Sequence, residues 1–365
     1  MPMQRRFNGT TPMLSLQPRA APSRLMSYLS LVLAVLLTTL CGAILFTLLG
    51  KNPIDGLAVF FWEPVRNVRG WTEIGVKCTP LILCALGYAM CYRSAVMSIG
   101  AEGMLLAGAM SGGATALALD HGSGGGAGAL TLIVLAGILG GMGWAAITAL
   151  LRDRFNTNEI LVSLMLVYVA ELLLSYLVTG PLRDPMGFNF PQSRMFSSGF
   201  LLPALIPNTR LNLGFAFALL ATLAAWIFMS KSFAGFRLQV GGMAPLAARY
   251  AGFSQRRALW TTLLASGGAA GLAGVIETVG VVGQLTPSMS PGYGFAAIIV
   301  AYVGRLQPVG ILFSSFIMAL FYIGGELAQS RLGLPHAITG VFQGMLLFFL
   351  LGADVLIANR IRWRN

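Results

Sequence analysis

Long apolar runs, each closed by a basic or proline- and glycine-rich interruption, set the rhythm of this chain. A bilayer-crossing helix needs about 20 consecutive apolar residues, and runs of that kind recur from residue 25 to residue 357. The first, 25–49, follows a polar and basic segment, 1–24. It is too long for a signal peptide and lacks a clean small-residue cleavage site, so a retained first helix is expected. Further spans are predicted at 71–92, from within 97–103 to 119, at 128–151, 160–179, 211–229, 258–282, 287–304, 309–325 and 336–357. The runs are continuously apolar rather than alternating, which indicates helices and not a barrel. The expected fold is therefore all-α: one polytopic helical bundle over 25–357 with about ten spans, followed by a short tail, 358–365.

The interruptions carry the topology. Residues 51–70 are expected to form a connecting loop, and Asp120-His121-Gly122-Ser123-Gly124-Gly125-Gly126 a flexible turn. Residues 180–208 hold Pro181, Pro185, Pro191, Pro203 and Pro207, too irregular to cross lipid, and are assigned to the outside. The basic interval 231–257 predicts a short surface helix. Pro245 suits its first position, where a missing N–H costs nothing, and Gly252 suits its end. Leu246, Ala247, Tyr250 and Ala251 then make one small apolar face. Such a knob fits a groove on a soluble partner; a basic interfacial loop that only orients its neighbours is the plainer alternative.

Composition agrees with a membrane protein: 56% hydrophobic and 10% charged residues, with a mean hydropathy of +0.77, leave too little polar surface for a soluble globule of this length. The net charge of +12 would suggest nucleic acid in a soluble protein, but here it must be sorted by loop. Ten spans put both termini on one side, together with Arg93, Arg152, Arg154, Lys231, Arg237, Arg249, Arg256, Arg257 and Arg305. That side is expected to be cytoplasmic, and no nucleic-acid partner is implied. Cys41, Cys78, Cys84 and Cys91 lie in or beside apolar runs without a Cys-x-x-Cys or paired His, and are read as small buried hydrophobes.

Enzyme signatures are missing. No phosphate-binding Gly-x-x-x-x-Gly-Lys-Ser/Thr, His-Glu-x-x-His or Gly-x-Ser-x-Gly occurs. His121 and His336 have no ligand partners nearby in sequence, so no catalytic or metal residue is assigned. Polar residues inside the apolar runs are the remaining candidates. Glu102, between Gly100 and Gly103, either lines a path or caps the third span. Asn158 and Glu159 are read as an N-cap and first-turn carboxylate, or as path residues. Glu277 and Glu326 are expected to snorkel at outer span ends. Gln284, Ser288 and Tyr293 surround the Pro/Gly-broken eighth segment, whose freed backbone groups suit solute hydroxyls or tight packing. Glycine pairs Gly108/Gly112, Gly137/Gly141, Gly267/Gly271 and Gly340/Gly344 permit close helix approach, within the chain or against a second subunit.

Three of these stretches carry a resemblance. Val240-Gly241-Gly242, followed after four residues by Ala247-Ala248-Arg249-Tyr250-Ala251-Gly252, resembles the cytoplasmic coupling loop of ABC importer permeases in the branched-chain amino acid, ribose and nucleoside group. Gly242 and Met243 stand where those relatives more often carry Glu and Asn. Ser98-Ile99-Gly100-Ala101-Glu102-Gly103 is similar to the group's Asn-Ile-Gly-Ala-Glu-Gly motif, with Ser98 for the asparagine, and Asn158-Glu159-Ile160 to its Asn-Glu-Val-Ile segment. The resemblance covers residues from about 72 to 351 and is closest to nucleoside and simple-sugar permeases. It implies a path lined by Gly100, Glu102, Gly103, Asn158 and Glu159, to which the broken eighth segment adds Gln284 and Tyr293. It also implies an ATPase-coupling surface at Gly241, Gly242, Pro245, Ala247, Ala248, Arg249, Ala251 and Gly252. The partners implied are an ABC ATPase, separate or fused as a double domain, that binds the ATP; a second, different permease; a substrate-binding protein or lipoprotein on the outer face; and the lipid of a bacterial inner membrane. A branched-chain amino acid permease and an ion-coupled secondary transporter stand as alternatives.

Overall fold

The computed structural model describes residues 14–18, 24–120, 125–335 and 337–363. Most of the 1–24 tail, His121 with the core of the glycine turn, His336 and Arg364 fall outside them. The chain divides into two compact units, one of residues 58–339 and one made of the stretches before 58 and from 340 onward.

The larger unit holds α3 (Glu63–Arg66), α4 (Val68–Arg93), α5 (Ala101–Asp120), α6 (Ala127–Phe155), α7 (Glu159–Thr179), α8 (Leu213–Lys231), α9 (Phe233–Met243), α10 (Pro245–Tyr250), α11 (Gln255–Ile276), α12 (Tyr293–Val303) and α13 (Pro308–Leu332). Among the described residues, six helices are long and apolar enough to cross a membrane: α4, α6, α7, α8, α11 with its continuation to Val282, and α13. The helical membrane bundle expected from the sequence is present. Its centre is α4, buried on nearly every side.

Glycine explains how α5, α6 and α11 approach so closely. A side chain at Gly141 would meet the Cα of Gly271 at 2.6 Å, one at Gly108 would meet the Gly271 backbone, and one at Gly137 would meet Val275 at 2.6 Å. Gly112 likewise faces Val275, and Gly267 the backbone of Gly141. Three of the predicted pairs thus form one seam, while nothing lies within 4 Å of Gly340 or Gly344.

Two irregular, partly buried stretches interrupt the helices. Residues 94–100 precede α5, and residues 283–292 follow a π-helical turn at Glu277–Val282 and precede α12. The predicted eighth span is accordingly short. Its 11 helical residues extend about 16 Å, roughly half the hydrocarbon thickness, so α12 begins inside the bundle. Irregular backbone is tolerated there because protein surrounds it; Leu285 and Met289 are almost fully buried.

Residues 51–70, expected as a loop, are mostly helical. Pro53–Leu57 (α2) runs into a π-helical turn at Ala58–Trp62 and then α3. Two aromatic residues in that turn drive it: Phe60 is fully buried, its ring tilted against those of Phe61 and Phe321 at 5.1 and 5.9 Å. The loop at 180–208 is irregular as expected but anchored. Ser193, Phe196 and Leu202 donate backbone N–H groups to Leu285, Gly283 and Val279 at 2.9–3.0 Å.

The smaller unit contains α1 (Arg24–Leu48), α2 and most of α14 (Ile338–Ala358), with Phe46 and Phe342 packed at 5.9 Å. It also carries the only strands among the described residues, β1 (Leu14–Pro18) paired antiparallel with β2 (Asn359–Trp363). Both strands fall in segments that apolar patterning assigns only as tails. The ladder brings the two ends of the chain together.

Candidate functional site

Glu102 stands second in α5 and is 3% exposed. Its Oε2 accepts the backbone N–H of Gly294 at 2.6 Å, across 192 positions of sequence, and Ser290 and the Gly292 backbone also hydrogen-bond to the carboxylate. The residue therefore caps a helix, but that helix is α12 rather than its own. Gly294 has to be glycine, because a side chain there would strike the Glu102 backbone, its Cα at 2.6 Å. Tyr293 sits beside this junction, 1% exposed, its ring edge-on to Tyr322 at 5.4 Å. Gly100 and Gly103 line the same meeting of helices: Gly100 abuts Ser163, and Gly103 abuts Val167 and the indole nitrogen of Trp144 at 3.1 Å.

The other path candidates lie elsewhere. Gln284 is under the anchored loop, its amide directed to Gln192 at 3.4 Å. Asn158 is the N-cap of α7, accepting from the Ile160 N–H at 2.9 Å, and Glu159 pairs with Arg152 at 3.3 Å. Both sit at the end of the bundle where Gly241 and Pro245 approach; Glu159, Arg152, Ala95, Gly241 and Pro245 share one cleft. Glu102, Gly100, Gly103 and Tyr293 are gathered by the fold, whereas Asn158, Glu159 and Gln284 are not among them.

A second polar group belongs to no motif in the sequence. Lys77, ten residues into α4, forms an ion pair with Glu326 of α13 at 3.0 Å, and its ammonium lies 5.7 Å from the centre of the Tyr293 ring. Glu277, at the π-helical turn after α11, is 5% exposed, and its Oε2 has no hydrogen-bond partner. The charges acting on it are Lys77, Arg210 and Glu326, and Arg210 pairs with Glu73 at 3.5 Å. Glu277 is thus enclosed by the fold rather than snorkelling, while Glu326 is half-exposed. A lysine inside an apolar run is the one signal that sequence alone offers for this group, since membrane-embedded charge is retained only when partnered.

At the opposite end, the basic interval folds into α9 and α10. Pro245 occupies the first turn of α10 as predicted, and Gly252 ends it at φ +78°, a conformation that glycine alone adopts freely. The preceding helix α9 is not predicted by the sequence pattern. Ala248 is fully buried, and its carbonyl accepts the Phe253 N–H at 2.9 Å, folding the turn back on itself. Gly242 packs against the carbonyl of Arg93 and lies 3.1 Å, at the position of an added Cβ, from the Ala95 nitrogen. The Arg93 guanidinium in turn donates to the Met229 carbonyl at 2.9 Å, tying α4 to the foot of α8. Arg256 pairs with Asp153 at 2.7 Å, with the Trp260 indole on the same oxygen at 3.2 Å. Against this fixed base, Leu246 and Tyr250 are 77% and 94% exposed, one turn apart on α10.

Known proteins are similar to this chain along most of its length. Residues 71–351 match the family described as branched-chain amino acid transport system / permease component. The chain is 33% identical to the glucose ABC transporter permease protein TsgB13 of Haloferax volcanii, over 95% of this chain and 93% of that one. It is 28% identical to the nucleoside ABC transporter permease protein NupB of Lactococcus lactis subsp. cremoris, over 87% and 89% of the two chains. It is 29% identical to the guanosine ABC transporter permease protein NupP of Bacillus subtilis, over 89% and 93%. No solved structure matches.

Proposed function

The chain belongs to the branched-chain amino acid transport system / permease component family, and from that premise we propose that it is the permease subunit of an ABC importer for a simple sugar or nucleoside. The cargo follows the relatives, which are named for glucose, nucleosides and guanosine. Ten spans, with both ends of the chain in the cytoplasm, remain the topology we favour, supported by the pairing of β1 with β2. The location we propose is a bacterial inner membrane. ATP is bound and hydrolysed on a separate ATPase subunit, a second and different permease completes the path, and a binding protein delivers solute from outside.

The observation that carries the coupling assignment is α10: a short helix on a rigid base, with Leu246 and Tyr250 turned outward. Movement of the ATPase would reach the bundle through Gly242 against the 93–95 turn and through Arg93 to α8. Such a lever works only if the ATPase binds the two conformations of the permease with different affinities. The test is to replace Ala251 and Gly252 by bulky charged residues, or Tyr250 by Asp, in the assembled transporter. Uptake and ATPase co-purification fall while the permease still inserts and elutes as a single species; unchanged uptake contradicts the assignment. A branched-chain amino acid cargo is the second reading, taken from the family's own description. Competition for uptake separates the two: glucose or guanosine competes under our reading, leucine under the other.

A further inference from the structure

Glu171 lies 12 residues into α7, which begins at Glu159, and so is about 18 Å along the helix, near the bilayer midplane. It is exposed, and among the described residues no ion pair or hydrogen bond engages its carboxylate. The only charge relation it shows is to Glu102, on which its own charge acts. A bare carboxylate at that depth is not left against hydrocarbon; such groups face a water-filled cavity or a partner charge.

Within this chain the surroundings favour water. Tyr168, Ser175 and Thr179 fall at helical spacing from Glu171 and make a polar stripe beside the buried stripe of Ser163, Val167, Leu174 and Val178. The stripe supplies hydroxyls and no cation, which suits water and neutral solutes. Two further polar groups flank the α5–α7 junction without partners: the Ser98 hydroxyl, on a residue 4% exposed, and the indole N–H of Trp144 beside Gly103.

We propose that the Tyr168–Glu171–Ser175 face of α7 lines the aqueous solute path, with Glu171 accepting hydrogen bonds from the hydroxyls of an uncharged, polyhydroxylated solute. The proposal rests on the reading that this chain conducts solute, and it names the wall along which the solute passes.

Cysteine labelling in the assembled transporter tests it. Cys78, Cys84 and Cys91 are buried and Cys41 is partly so; Cys41→Ser supplies the silent background. Glu171→Cys is compared with Val169→Cys, which is 50% exposed and faces the opposite side of α7, using a membrane-impermeant cationic methanethiosulfonate. Because only a hydrated thiol ionises and reacts, position 171 is expected to label at least about tenfold faster than 169. No reaction at 171, or equal reaction at both, overturns the proposal. If Glu171→Cys fails to assemble, Ser175→Cys on the same stripe decides by the same comparison. The readout requires neither ATP nor transport, so its failure leaves the importer assignment standing, and failure of ATP-driven uptake leaves this result interpretable.

Discussion

Glu102 and Lys77 show what a charge inside the bundle is for. Glu102 satisfies backbone N–H groups at the start of α12, which would otherwise be orphaned far from water. Glu102→Ala should therefore destabilise the purified permease by about 1–3 kcal/mol, and Glu102→Gln, which keeps an acceptor, by less; thermal unfolding in detergent measures both. Lys77→Met leaves Glu277 and Glu326 without their nearest cation. Because these groups form one network, the Lys77→Met/Glu277→Gln double variant should lose less stability than its two parents together, by at least about 0.5 kcal/mol. Additive losses would mean that the residues act independently. These residues also mark the limit of what the sequence discloses. Glu102 is recognisable there as a cap or a path residue, but its partner is 192 positions away, and no periodicity reaches that far. Glu171 sits alone in a long apolar run and Lys77 shares its own only with Glu73, so averaging over a span conceals them.

At the scale of elements, the seam of α5, α6 and α11 depends on bare backbones. Gly271→Leu should overpack it and cost about 1–3 kcal/mol, whereas Gly340→Leu, with open space around it, should stay within about 0.5 kcal/mol; melting temperatures of the two variants check this ranking. Equal effects would mean that the seam has room to spare. The long spans and the ends of α10 are legible in the sequence, because apolar length, Pro245 and Gly252 act locally. The helical character of 51–70 is not: Phe60 and Phe61 become ordering only when Phe321 is brought against them. The shortness of α12 is visible in Pro291, Gly292 and Gly294, but its docking on α5 is not.

Over the larger unit, two regions of one bundle differ in character. One is a hard, basic base around α9, α10 and the feet of α4 and α8, from which Leu246 and Tyr250 project. The other is a membrane-embedded interior where two irregular stretches meet at Glu102 and Gly294, with Lys77 and Glu277 close to Tyr293. Its family and relatives are permeases, and on the function proposed above such a chain would transmit work supplied by another subunit. The most direct measurement is uptake of labelled glucose and guanosine into proteoliposomes holding the purified chain, alone and together with the ATPase, second permease and binding protein proposed as its partners. The account predicts concentrative uptake only for the complete assembly with ATP supplied on the ATPase side, abolished by Tyr250→Asp; accumulation by the chain alone, driven by a proton or sodium gradient, would contradict it.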